Sequence, residues 1–366
     1  MFTKQNLMST VLTCALCVFT SQSITATELK WSDSLSISGD FRYRMEKIDQ
    51  EGSEERDRSR LRARISLDAK VNDTVKVGVR LASGNDDPVS TNQSFDKFAS
   101  TKDFGLDRAY VAWTPAKGST IVAGKMANPF YLPNKSLLVF DGDLNPEGLA
   151  YKYSNAGFFA NVGRFNLDEC SSCDDSYMTG GQVGYGYKMG NGSKLTFGAS
   201  LFSYDLNSDE VELPDAYSVT EIFADYSTKL VGRPFVVYAD YAVNSDADKV
   251  TDQLAALGIN EDLDAGYEVG FKYGSAKNAG EWQFGYLYKS ADALAVFPLF
   301  TDSDFGGGGA DVDGHVVKVA YAINKNFTVG INQYVNQNSL SADADNDPLT
   351  NALDYNRTML DFKFKF

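Results

Sequence analysis

Along most of this chain, apolar and polar residues change places at every second position. Leu61, Ala63, Ile65, Leu67 and Ala69 fall on one side of an extended segment, and Arg62, Arg64, Ser66, Asp68 and Lys70 on the other. After Asn72-Asp73-Thr74, Val75, Val77, Val79 and Leu81 alternate with Lys76, Gly78, Arg80 and Ala82. Trp282, Phe284, Tyr286 and Tyr288 repeat the pattern against Gln283, Gly285, Leu287 and Lys289. A period of two sends successive side chains to opposite faces of a strand, so the pattern predicts an all-β chain.

The links between these segments are of two kinds. Seven are short, at 72–74, 115–119, 154–157, 188–193, 228–233, 274–280 and 324–326. Eight are long, acidic and rich in Gly, Asp and Ser, at 46–58, 84–105, 127–146, 166–177, 207–215, 244–264, 290–314 and 336–355. They alternate without exception, which implies sixteen strands with both chain ends on the short-turn side. A soluble sandwich has no reason to gather every long loop at one end, whereas a barrel in an outer membrane does. Most strands run to roughly 8–12 residues, near the length a tilted strand needs to cross the hydrocarbon layer. The expected fold is a 16-stranded antiparallel transmembrane β-barrel, closed so that lipid meets no unpaired backbone and wide enough for an aqueous lumen.

Composition sharpens this picture. The 24 Phe, 20 Tyr and 31 Gly suit a sheet that meets lipid through aromatic girdles. With 34 basic and 49 acidic residues, the net charge of −15 argues against nucleic acid. A single histidine, His315, excludes multi-His metal sites, and no cofactor is expected. At the N-terminus Lys4, the apolar stretch 11–19 and the small polar residues 21–26 read as a signal peptide over 1–26, leaving 27–366 as one barrel.

The last strand places Thr358, Leu360, Phe362, Phe364 and Phe366 on one face, against Arg357, Met359, Asp361, Lys363 and Lys365, and the chain ends on Phe366. In this it resembles the outer-membrane porins of Gram-negative bacteria. The stretches 106–113 (LDRAYVAW) and 140–149 (FDGDLNPEGL) resemble the "putative porin" family of proteobacteria. The resemblance covers essentially the whole mature chain. It implies a channel for passive diffusion of small hydrophilic solutes and ions, in a cell outer membrane with lipid and lipopolysaccharide around it. It also implies a homotrimer, and a terminal Phe366 read by the barrel-assembly machinery. The Pro-Glu-Phe-Gly-Gly motif of the general diffusion porins is absent from the third long loop, so no constriction is carried over residue by residue.

If apolar residues face lipid, the first four strands turn Arg42, Arg44, Arg62, Arg64, Lys76, Arg80 and Arg108 into the lumen. The third long loop, 127–146, holds Phe130, Tyr131, Leu132, Leu137, Leu138, Val139 and Phe140, too apolar a set to stand in water. Folded into the barrel, it would set Asp141, Asp143 and Glu147 opposite the arginines; packed at a subunit contact, it would not. Wall charge within about 8–10 Å acts with little screening, while the loop acids Asp302, Asp304, Asp311, Asp313, Asp343, Asp345 and Asp347 are expected to lie farther away. The expectation is a weak preference for anions.

Smaller features add little. Cys170 and Cys173 sit among acidic neighbours, which disfavours reactive thiolates and favours a loop disulfide. The glycine run 306–309 reads as a flexible loop tip. Barrel phospholipases use a His-x-Ser pair, but His315 is followed by Val316 and Val317, and omptin-type proteases need an Asp–His pair, so no enzyme is expected. A structural or adhesive barrel with a blocked lumen is the rival to a channel.

Overall fold

The computed structural model describes residues 34–207, 217–250, 263–338 and 353–366. The signal-peptide reading over 1–26 and the acids Asp343, Asp345 and Asp347 lie outside them. Sixteen antiparallel strands form the wall: β1 (Leu35–Gln50), β2 (Arg56–Lys70), β3 (Val75–Ser83), β4 (Phe104–Ala116), β5 (Ser119–Lys125), β6 (Glu147–Asn155), β7 (Phe158–Asp168) and β8 (Ser176–Lys188) make the first half. The second half is β9 (Lys194–Asp205), β10 (Ser218–Leu230), β11 (Arg233–Asn244), β12 (Ala265–Gly274), β13 (Trp282–Ala291), β14 (Val312–Ala322), β15 (Phe327–Asn338) and β16 (Leu353–Lys365). Each strand pairs with its neighbour in sequence, and β16 pairs with β1 to close the ring. Short and long connections alternate as the sequence pattern predicts.

Alternation along each strand separates the two faces. Ile37, Phe41 and Met45 of β1 and Ile65 and Leu67 of β2 are exposed on the outside, while Arg42 and Arg44 are buried inside. The closing seam uses the C-terminus directly. Phe366 and Gly39 exchange backbone hydrogen bonds of 3.1 Å in both directions. The Phe366 ring lies over Gly39, 2.4 Å from where a Cβ would stand, so any larger residue at 39 must displace it. Phe364 stacks on Phe327 at 4.2 Å.

The wall departs from the simple pattern in three places. The first long link is shorter than its polar sequence suggests, because β1 and β2 stay paired out to Ile48 and Arg56. Glu46 and Arg58 both face inward there and form an ion pair, so a charged stretch continues as strand. Because β3 is short, the upper part of β2 pairs instead with Gln93–Ser94 from the following loop. Between β3 and β4 the register shifts after Arg80, where Arg108 and then Leu106 stand opposite consecutive residues. The extra residue, Asp107, turns inward beside Arg108 instead of alternating outward.

A hydrophobic core also lies inside the barrel. Phe130, Leu138, Val139, Phe140 and Leu144 of the loop after β5 are buried, as are Val296, Phe297 and Phe305 of the loop after β13. Both loops pack against the inner wall. The loop after β13 was expected to carry a flexible glycine tip, but Gly306 donates to Asn336 at 3.3 Å and Asn338 donates back to its carbonyl at 2.7 Å.

Candidate functional site

The loop between β5 and β6 crosses from one side of the lumen to the other. At its start, Tyr131 N–H donates to Gln182 of β8 at 2.7 Å, Gln182 donates back to the Tyr131 carbonyl at 3.0 Å, and the Tyr131 hydroxyl donates to Asp225 of β10. Phe130 meets Phe202 of β9 edge-on at 4.9 Å, in space left by Gly180. Midway, Leu137 N–H donates to Glu268 of β12, and Lys289 of β13 donates to the Leu137 carbonyl, each at 3.2 Å. At its end the loop reaches the arginines of β2.

There Asp143 is held between two guanidinium groups. Arg64 Nη1 lies 2.9 Å from one oxygen and Arg62 Nη1 3.4 Å from the other. Both arginines also bind Asp40 of β1, at 2.8 and 2.9 Å. Beside the register shift, Arg80 binds Asp107, whose other oxygen accepts from Asn145 at 2.8 Å, and Arg108 donates to Asn145 Oδ1 at 2.6 Å. Above them Arg44 makes a bidentate pair with Asp361 at 2.6 and 3.1 Å and reaches Asp304 at 3.0 Å. Arg357 binds Asp304 at 2.9 Å and Glu46 at 3.1 Å. Arg42 donates to Asn92 at 2.5 Å. Although burial opposes it, Arg357, Arg44 and Arg42 hold the Asp304 carboxyl well below the usual carboxylate range.

The loop acids take different places. Asp143 faces the arginines. Asp141 turns away, accepting from Asp143 N–H at 2.7 Å and Ser303 N–H at 3.3 Å, and burial followed by the nearby Asp302 pushes it up to about 8. Glu147 is outside the group that the sequence placed with it. It opens β6 on the outward side with Leu149 and pairs with Lys125 at 2.6 Å, because the inward positions of that strand are Gly148 and Ala150. Lys76 sits near the short-turn end, half-exposed, 3.4 Å from Asp68. A cavity of about 350 Å³ remains between loops and wall, lined in part by Arg42, Asp143, Lys318 and Lys363.

The "Putative porin" family profile matches residues 46–229 and 207–366. The chain belongs to this porin family. A porin of this kind is a bacterial outer-membrane protein. Among solved structures it is similar in fold to Pseudomonas putida OprB at high pH (TM-score 0.60, 11% identity, 92% of this chain and 95% of that one). The low-pH structure of OprB gives a TM-score of 0.53 at 12% identity, over 92% and 93%. A triple mutant of Rhodopseudomonas blastica porin gives 0.55 at 13% identity, over 91% and 100%. No curated protein matches in sequence.

Sequence alternation alone missed part of this porin's interior. Asp107 escaped because the register shift reverses its side. Asp302 and Asp304 were read as remote loop charge, yet Asp304 sits on Arg44 and Arg357 inside the barrel. The apolar run at 294–300 (LAVFPLF) was the available signal, since the argument that folds 127–146 inward applies to it equally. Cys170 and Cys173 are joined by a disulfide with Cα atoms 5.3 Å apart. His315 faces outward, its Nδ1 2.8 Å from the Tyr286 hydroxyl.

Proposed function

We propose that this porin is a water-filled channel for passive diffusion of small hydrophilic solutes and ions, narrowed by its inward loops and weakly selective for anions. The observation that carries the reading is the clamp of Arg62 and Arg64 on Asp143, which holds the loop after β5 across the lumen. The loop acids contact the arginines directly, so the field where a solute passes is set by the wall cations that those acids leave uncompensated. Among the described residues, eight cations of the β1–β2–β16 wall pair with five carboxylates of that wall and the inward loops, so this set carries a net positive charge. Remote charge on the outer rim is screened over about 8–10 Å at physiological salt, so the wall governs selectivity.

The porin is proposed to assemble as a homotrimer in contact with lipid and lipopolysaccharide, with Phe366 as its assembly signal. The amount of loop packed inside the barrel also favours one rival, a closed barrel that binds partners through its loops. Reversal potential in a salt gradient tests the selectivity. Arg62→Glu with Arg64→Glu moves it toward cations if the arginine wall governs passage; no movement contradicts that role.

A further inference from the structure

Below the inward loop, toward the short turns, lies a second cavity of about 670 Å³, within the size range of small-molecule sites. Lys152 of β6, Lys188 of β8 and Lys194 of β9 line it. Strand β8 makes the room. Its inward Gly184 and Gly186 bear no side chain, so the Phe159 ring fills the space over Gly184. Lys194 lies across Gly186, its Nζ 3.2 Å from where a Cβ would stand.

Two observations point to a missing acceptor. Among the described residues, no carboxylate pairs with Lys152, Lys188 or Lys194; Asp225, facing in from β10, is engaged by the Tyr131 hydroxyl. Asn128, which also lines the cavity, accepts from Phe130 N–H at 3.0 Å through Oδ1, and this fixes its amide orientation. Its Nδ2 is then buried with no hydrogen-bond partner among the described residues. A buried donor left unpaired costs free energy that a bound acceptor recovers. The cavity is also aromatic: Tyr131 and Phe159 lie 5.4 Å apart on its loop side.

We propose that this cavity binds a small aromatic carboxylate, its charged group held by the three lysines and Asn128 Nδ2 and its ring laid against Tyr131 and Phe159. An inorganic anion would use the lysines but leave the rings uncovered, and a neutral aromatic would do the reverse. The site rests on the reading of the lumen as open to water below the loop.

Equilibrium dialysis against the folded protein in detergent, with empty micelles as the blank, reads occupancy without any current. Its outcome therefore stands apart from whether the channel conducts. The probes are benzoate, acetate, benzyl alcohol and inorganic phosphate. Benzoate binds about tenfold more tightly than each of the others, the equivalent of about 1.4 kcal/mol. Phe159→Leu brings benzoate down to the level of acetate. Lys152→Met, Lys188→Met and Lys194→Met together abolish its binding, with Lys194→Met alone as the milder variant and heat-modifiable migration as the check on folding. Acetate or phosphate binding as well as benzoate, or benzoate retained by the folded triple variant, overturns the proposal.

Discussion

On the β1–β2–β16 side of the lumen, the arginines that meet the inward loops are matched to carboxylates. Asp143 lies between Arg62 and Arg64, and Asp304 between Arg44 and Arg357. Across the barrel, on β6, β8 and β9, Lys152, Lys188 and Lys194 have no carboxylate partner among the described residues, and the loop is fixed there by aromatic packing and by Gln182. On the proposed reading, positive charge does two kinds of work in one lumen. Planar, paired guanidinium groups fasten a loop through geometry. Ammonium groups without partners leave their charge available to whatever diffuses past.

The strongest way to break the fastened side is Asp304→Ala. It leaves Arg44 and Arg357 buried without that carboxylate and is expected to cost about 3–5 kcal/mol, read as a lower urea midpoint for loss of heat-modifiable migration. Phe140→Ala attacks the aromatic anchorage instead. Its ring meets Phe202 at 4.8 Å, and its loss is expected to cost about 3 kcal/mol. Part of that cost falls on loop docking, so single-channel steps become larger and noisier. Asp143→Asn keeps the shape of the clamp but removes its negative charge. About 1–3 kcal/mol of docking is lost, and the reversal potential moves further toward anions as Arg62 and Arg64 are unmasked. An unchanged reversal potential in that variant would mean that solutes pass elsewhere.

The smallest effect concerns pH. Asp141 titrates near 8 when buried beside Asp302, against an ordinary value of about 4. A raised carboxyl pKa contributes fully to docking below the ordinary value and is lost as pH rises through the folded value. Asp304 runs the other way. Its depressed pKa contributes above the ordinary carboxylate range and fails only in strong acid. Loop docking is therefore firmest near pH 4, and conductance rises between about pH 4 and 8. Asp141→Asn removes that rise; a rise that survives in the variant rules Asp141 out as its source.

Much of the barrel was legible because lipid imposes a rule on every strand. Leu61 to Ala69 alternate with Arg62 to Lys70 since one face meets hydrocarbon and the other water, and sixteen such segments can close. The interior was less legible because no comparable rule governs loops. The apolar residues of 127–146 revealed that this loop needs cover, but only the fold shows Gln182, Glu268 and Asp143 as its fixing points. Glu147 looked like a third eyelet acid until strand parity placed it outside. Asp107 looked outward until the register shift turned it in. The lysines of β6, β8 and β9 were visible one by one, but nothing in their spacing of thirty or more residues between the first two brings them to one cavity.

On the proposed reading, the inward loops narrow the lumen and leave it open. Single-channel recording of the purified, folded protein in planar bilayers tests this most directly. Discrete conducting steps are expected, with a reversal potential on the anion side in a potassium chloride gradient. A folded sample that inserts and shows no steps would contradict it.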